Sequence, residues 1–256
     1  MQPDSTRAIV PLPHRLIGEG LVVLALVGWW LMARRLPEFI LPNPLSVARR
    51  LLDLFFTPDF LQHTLASTWR VVVSVIAALL IGGGLAFLAD RVPVLRAVVD
   101  ERIKPVLNSF PSIGWAILAA IWFPPGDFGV IFVEVAILIP FCLINIGEGL
   151  RAIDRELLEM GHSFTRKRAR ILWRLTLPLL IPYVLAALRI AYGIAWKIAL
   201  VSELLGAPSG LGYLMLRAQT AADSPTFLAT CFAIVVIFVA GEKLVIVPLE
   251  RRFAQR

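Results

Sequence analysis

The side chains with chemistry to offer fall in two places. One is the stretch Glu148–Pro178, the longest polar interruption in a very apolar chain. It holds seven basic residues: Arg151, Arg155, Arg166, Lys167, Arg168, Arg170 and Arg174. The other is the apolar run Leu175–Leu205, which carries Arg189, Lys197 and Glu203. Ionisable groups at membrane depth are costly and are functional candidates by default. Arg189, Gly193, Lys197 and Glu203 stand at i, i+4, i+8 and i+14, so they share one broad helical face. Two cations on a pathway would favour an anionic solute. The alternative is structural: Arg189 bonded to backbone carbonyls or paired with Glu134 or Glu242, and Lys197 snorkelling along its stem. The residues alone leave both open. Glu203 lies near the end of the run, where it suits a partner or gate contact.

Catalysis finds no support. The sequence has no Gly-x-x-x-x-Gly-Lys-Ser/Thr phosphate loop, so ATP hydrolysis by this chain is not expected. It has no zincin pair and no Gly-x-Ser-x-Gly elbow. His14, His63 and His162 all fall outside the expected spans, whereas a membrane hydrolase needs a base beside a nucleophile at depth. No Cys/His ligand spacing occurs, so no metal or other cofactor is expected. Cys142 and Cys231, and the tryptophans other than Trp29 and Trp30, read as packing residues.

The elements that position these residues are membrane spans. Of 256 residues, 58% are hydrophobic and 17% charged, against roughly 25% charged in soluble domains. The net charge of +7 clusters at span ends, which fits the positive-inside rule rather than a nucleic-acid partner. The expected fold is all-α and polytopic, with about six transmembrane helices. Residues 1–15 form a polar tail. Leu16–Ala33 is the first span. A signal peptide competes with it, but no small-x-small site precedes Arg34-Arg35, and Trp29-Trp30 suits an interfacial belt. Residues 34–63 follow, with a breaker at Pro42-Asn43-Pro44 and a surface helix over Leu45–Phe56.

The transmembrane core is expected over 64–250. Its spans are Val71–Ala89 with Gly82-Gly83-Gly84, Val106–Gly126 interrupted by Pro111 and Pro124-Pro125, Phe128–Gly147 with Glu134, Leu175–Leu205, and Ser224–Gly241. A tail at 251–256 closes the chain. With both termini cytoplasmic, the inner segments hold 16 basic residues and the outer ones 5, which places 34–63 in the periplasm. Glu148–Pro178 then faces the cytoplasm. Asp154 can cap a helix, and Leu157, Leu158, Met160, Gly161 and Phe164 give it an apolar face suited to a partner's groove. Arg166–Arg170 suits anionic lipid headgroups.

Glu159-Met160-Gly161, then Thr165, then Leu175-Thr176-Leu177-Pro178, resembles the cytoplasmic "EAA" loop of ATP-binding-cassette importer permeases. The spacing, Glu159, the aliphatic position and Leu177-Pro178 match. Met160 and Gly161 replace two alanines, and Thr165 replaces a glycine. Leu41–Pro44, Phe110-Pro111-Ser112, Ile121–Phe123, Leu188–Ile190, Ala195-Trp196, Glu203 and Ser209–Tyr213 resemble permeases that import nitrate, taurine and aliphatic sulfonates. The resemblance covers about residues 40–252. It implies a type I importer domain whose loop 148–177 docks on ATPase subunits. It also implies a second permease copy, of this chain or a sister, and a periplasmic solute-binding protein. Small oxyanions are the implied cargo. Two other classes compete. An ion-coupled secondary transporter predicts an inverted repeat with paired broken helices. A non-transporting scaffold would not need cations on a span interior.

Overall fold

The computed structural model describes residues 12–254 apart from Arg166, with side chains at all of them except 12–17, 108, 155 and 254. The expected tail at 1–15 lies outside the described residues up to position 11, as do the last two residues of the tail expected at 251–256.

Regular structure among the described residues is helical. α1 (Leu12–Ala33) is followed by the amphipathic α2 (Pro44–Phe55), whose cap is the Asn43 carboxamide accepting from Leu45 N. α3 (Pro58–Arg91) begins behind Thr57, with Pro58 where a missing N–H costs nothing. Its 34 residues reach about 50 Å, well beyond a ~30 Å hydrocarbon core. Next come α4 (Pro93–Val98) and α5 (Lys104–Ser109), then α6 (Ser112–Trp122) and α7 (Asp127–Ala152). α8 (Arg155–Phe164) and α9 (Arg168–Ile171) lead to α10 (Leu177–Gly206). α11 (Leu211–Thr220), α12 (Ser224–Gly241) and α13 (Val247–Ala254) complete the order.

Among the described residues, four helices are long and apolar enough to cross a bilayer, or five if the bent pair below counts as one: α3, α7, Arg168–Gly206 and Ser224–Phe253 are the four. The span expected over Val106–Gly126 is not one straight helix. Pro93–Leu107 and Ser112–Trp122 meet at 86°, because Pro111 forces Phe110 into extended backbone (φ −76°, ψ 126°). α1 adds a shorter apolar stretch, Gly18–Ala33. Its Trp29 donates to Pro42 O and stacks on Phe232, while Arg34 sits over Trp30.

Three π-helical turns share one cause. They span Val99–Ile103, Leu172–Thr176 and Glu242–Ile246. In each, the next N–H reaches five residues back: Lys104 to Val99, Leu177 to Leu172, Val247 to Glu242. In each, the residue after that is proline: Pro105, Pro178 and Pro248. Proline donates no hydrogen bond, and its ring clashes with the carbonyl four residues earlier. The wider turn moves that carbonyl aside.

The core is the triple junction of α3, α7 and α10. α3 and α7 run side by side in the same direction, and α10 runs against them, with Tyr183 and Leu180 over Gly149. Gly82 lets α3 and α7 touch: a Cβ there would lie 2.9 Å from the Ile139 carbonyl and from Cys142 Cβ. Gly83 faces Ile146, and Gly84 faces open space. The glycine triplet therefore serves contact within the chain at its first two positions. Cys142 is buried and Cys231 partly so, both as free thiols. The packing expected of the tryptophans holds for Trp196, whereas Trp69, Trp122 and Trp173 face outward.

Candidate functional site

Three surfaces bring the charged residues together. The first is α8, at the end of the bundle where α3 and α7 finish. Asp154 is extended (φ −61°, ψ 128°) and its carboxylate accepts from Glu156 N at 2.9 Å, which starts the helix. Thr165 ends it in extended backbone (φ −156°, ψ 134°), with its N–H on Gly161 O. Glycine is not needed there, which explains how threonine stands at that place in the motif.

The helix carries two apolar faces. Leu158 lines a groove with Ile153, Ile171 and Leu172 of the same chain. Gly161 sits against that layer too, since a Cβ on it would lie 3.2 Å from Leu175 Cδ2. Leu158 and Gly161 thus face their own chain, not the outward contact surface expected for them. Leu157, Met160 (52% exposed) and Phe164 (84% exposed) form an outward stripe at i, i+3 and i+7. Glu159 is exposed beside them. Leu177 is half-buried and Pro178 exposed, directly after the second π-helical turn.

The second surface is the open side of α10. Arg189 and Lys197 are exposed, and a Cβ at Gly193 would meet nothing within 4 Å. Arg189 is held by Glu242 at 3.0 Å and by Glu250 at 3.3 Å. Glu242 is a partner the spacing allowed. Glu134 is not: it is wholly buried on α7, with neither carboxylate oxygen hydrogen-bonded. One carboxylate balances the guanidinium and the second leaves the group of three with a net negative charge, so Arg189 offers no free cation here. Lys197 makes no ion pair among the described residues, so it is the cation this face presents.

Glu203 does not join that face. It is fully buried (0% exposed) at the opposite end of the bundle from α8, in a polar cluster around Arg70 (1% exposed). Arg70 donates to Glu203 Oε1 (2.8 Å), to Asp127 Oδ1 (2.6 Å), and to the carbonyl and hydroxyl of Ser209 (both 2.7 Å). Ser67 donates to Glu203 and accepts from Leu211 N. Gly210 N donates to His63 Nδ1, and Gly212 N to Glu203 Oε2. Gly210 has φ +114°, and a Cβ there would overlap the Glu203 carboxylate, so the turn admits only glycine. This satisfies the first N–H groups of α11 with side chains of α3 and α10.

Sequence reasoning missed Arg70 by starting the span at Val71. The signal was Pro58 behind Thr57, which begins the helix a dozen residues earlier and puts Ser67, Arg70 and Ser74 on one face.

The profile of the family described as "Binding-protein-dependent transport system inner membrane component" matches residues 78–245, more than half the chain. The chain belongs to this family. It is a permease subunit, and its fold agrees. An ABC transporter that imports the acidic polysaccharide alginate superimposes with a TM-score of 0.66 at 16% identity, covering 95% of this chain and 93% of that one. Inward-facing MetNI methionine ABC transporter gives 0.57 at 16% identity, over 74% and 95%. In sequence, the taurine transport permease TauC of Escherichia coli K12 is 27% identical over 93% of this chain and 86% of its own length. The formylaminopyrimidine transport permease ThiX of Halalkalibacterium halodurans is 29% identical over 86% and 87%. The putative aliphatic sulfonates permease SsuC of E. coli K12 is 29% identical over 75% and 71%.

Proposed function

We propose that this permease admits a small sulfonate-like oxyanion and that α8 docks on a separate ATPase subunit. The observation carrying the docking half is the outward stripe Leu157, Met160 and Phe164 on a capped helix. An apolar stripe at that spacing fits a hydrophobic groove, and Glu159 beside it can accept charge-assisted hydrogen bonds. The chain itself has no phosphate-binding loop, which supports hydrolysis on the partner.

The anion half rests on Lys197, the cation on the open face of α10 that makes no ion pair among the described residues, together with relatives named for taurine and aliphatic sulfonates. That face is uncovered in one subunit, so a second permease, this chain or a sister, completes the pathway. A periplasmic binding protein delivers the solute. The basic-residue asymmetry supports α8 in the cytoplasm, with the Arg70 cluster and residues 34–63 outside and both termini inside. Lys167, Arg168 and Arg170, all exposed, then meet anionic lipid headgroups.

The test is purification in mild detergent followed by reconstitution with the ATPase that co-purifies. The expected complex has two permeases and two ATPases and hydrolyses ATP. A permease that purifies without a stoichiometric ATPase, or alone in its complex, would contradict the proposal.

A further inference from the structure

On the open face of α10, Arg189 differs from Lys197 in being occupied by the chain itself. Its side chain is 54% exposed, yet its guanidinium donates to Glu242 at 3.0 Å and to Glu250 at 3.3 Å. Both carboxylates reach it because of the third π-helical turn. They stand eight residues apart in the segment Ser224–Phe253. An α-helical turn takes 3.6 residues, so eight residues of plain α-helix overshoot two turns by almost a residue. The wide turn Glu242–Ile246 absorbs that residue. One wide turn and one ordinary turn then take about eight residues, and Glu242 and Glu250 stack on the side that faces α10. The proline behind this turn is Pro248.

The helices are fastened to each other without this clamp. Tyr192 Oη donates to Phe238 O at 3.0 Å and its ring stacks on Phe238. Gly241 leaves room for that hydroxyl, since a Cβ there would overlap it. α12 is thus seated on α10 by Tyr192 alone. Ion pairs at half-exposed side chains hold weakly, so an arriving anion can displace them. A guanidinium offers a planar fork of donors that fits any small oxyanion as it fits a carboxylate. Arg189 lies about 12 Å from Lys197 along α10, eight residues at 1.5 Å each, on the side of the α8 end. An oxyanion leaving Lys197 toward that end next meets Arg189. It finds the fork filled and the group of three net negative.

We propose that Arg189 is a second oxyanion site on the pathway, masked by Glu242 and Glu250 in place of the solute. The two carboxylates hold the solute back at Lys197, and the site opens when they draw away from Arg189. The inference rests on the reading of the α10 face as an anion pathway, and the experiment separates the two.

Binding of radiolabelled methanesulfonate to the complex with its co-purified ATPase is measured in detergent, without nucleotide or binding protein. Glu242→Gln with Glu250→Gln turns the group from net negative to net positive and keeps oxygens that accept from Arg189. The double variant should bind methanesulfonate at least about tenfold more tightly than the parent, the worth of a charge-assisted hydrogen bond. Glu250→Gln alone should give a smaller gain in the same direction, and it carries the test where the double variant does not assemble. Adding Arg189→Gln should remove the gain. Affinity in the Gln variants equal to the parent's overturns the inference, as does a gain that survives Arg189→Gln. The underlying reading is tested apart, by methanesulfonate uptake into proteoliposomes. Uptake that Lys197→Met leaves unchanged removes the α10 face as the pathway, and the inference with it. Uptake impaired by Lys197→Met, with no gain of binding in the Gln variants, overturns the inference alone.

Discussion

At the scale of single residues, burial separates the charges that hold the molecule from the one proposed to meet a solute. Arg70 and Glu203 are both enclosed. Removing one partner of such a pair leaves a buried charge uncompensated and costs about 3–5 kcal/mol, whereas replacing both by apolar residues of similar volume is often neutral. Arg70→Met should therefore lower the detergent unfolding temperature sharply, and adding Glu203→Met should recover only part of the loss, because Ser67, Gly212 N–H and the Ser209 carbonyl then lose their partners; thermal unfolding of the three proteins checks this. Lys197 is exposed and pairs with no carboxylate among the described residues. Lys197→Met keeps the stem and removes the charge. It should raise the KM for sulfonate uptake several-fold with the complex intact, measured as solute uptake into proteoliposomes. The spacing of Arg189, Gly193 and Lys197 on one face could be read from the sequence, because helical period fixes which positions align. What holds Arg189 could not, because Glu242 and Glu250 lie 53 and 61 residues further along the chain.

At the scale of elements, α8 was the most legible. Its cap, its length and its position beside a basic loop are all local properties, and the structure starts and ends it where Asp154 and Thr165 stand. Which way its faces point was not local. Leu158 and Gly161 turn inward because α9 and the π-helical turn after it supply Ile171, Leu172 and Leu175 as a floor. Two classes of variant follow. Met160→Asp or Phe164→Asp should abolish ATPase co-purification with the permease still folded, since a charge is added to the outward stripe. Gly161→Glu should act through the fold, lifting α8 off Leu175, and so lower both ATPase binding and the protease resistance of the loop. A limited-proteolysis time course beside the co-purification assay distinguishes them. The bent pair α5–α6 was half legible: Pro111 announced the break, but the 86° it makes, with α6 lying against α7 and α10, could not be read locally.

At the scale of the whole molecule, the order of the apolar runs could be read, but six spans were expected and four described helices, or five with the bent pair, are long and apolar enough to cross a bilayer; the polar junction around Arg70 could not be read at all. Four segments of the chain meet there: α3, the start of α7, the end of α10 and the turn into α11, and no window of sequence contains them all. The proposed orientation is testable by labelling in intact cells. Cysteine at Pro208 should react with an impermeant maleimide, and cysteine at Lys167 only after permeabilisation; the reverse pattern would invert the molecule. The three proline-linked wide turns carry a consequence for angular phase. Each holds one residue more than an α-helical turn, and one residue is about 100° of azimuth. At Leu172–Thr176 that extra residue sets the direction in which Lys197 points relative to the stripe on α8. Pro178→Ala lets the turn close into α-helix and puts the two out of phase by about that angle. Deleting one residue between Leu172 and Thr176 in the same variant should bring them back into phase, and uptake per ATP hydrolysed should fall with the first change and return with the second.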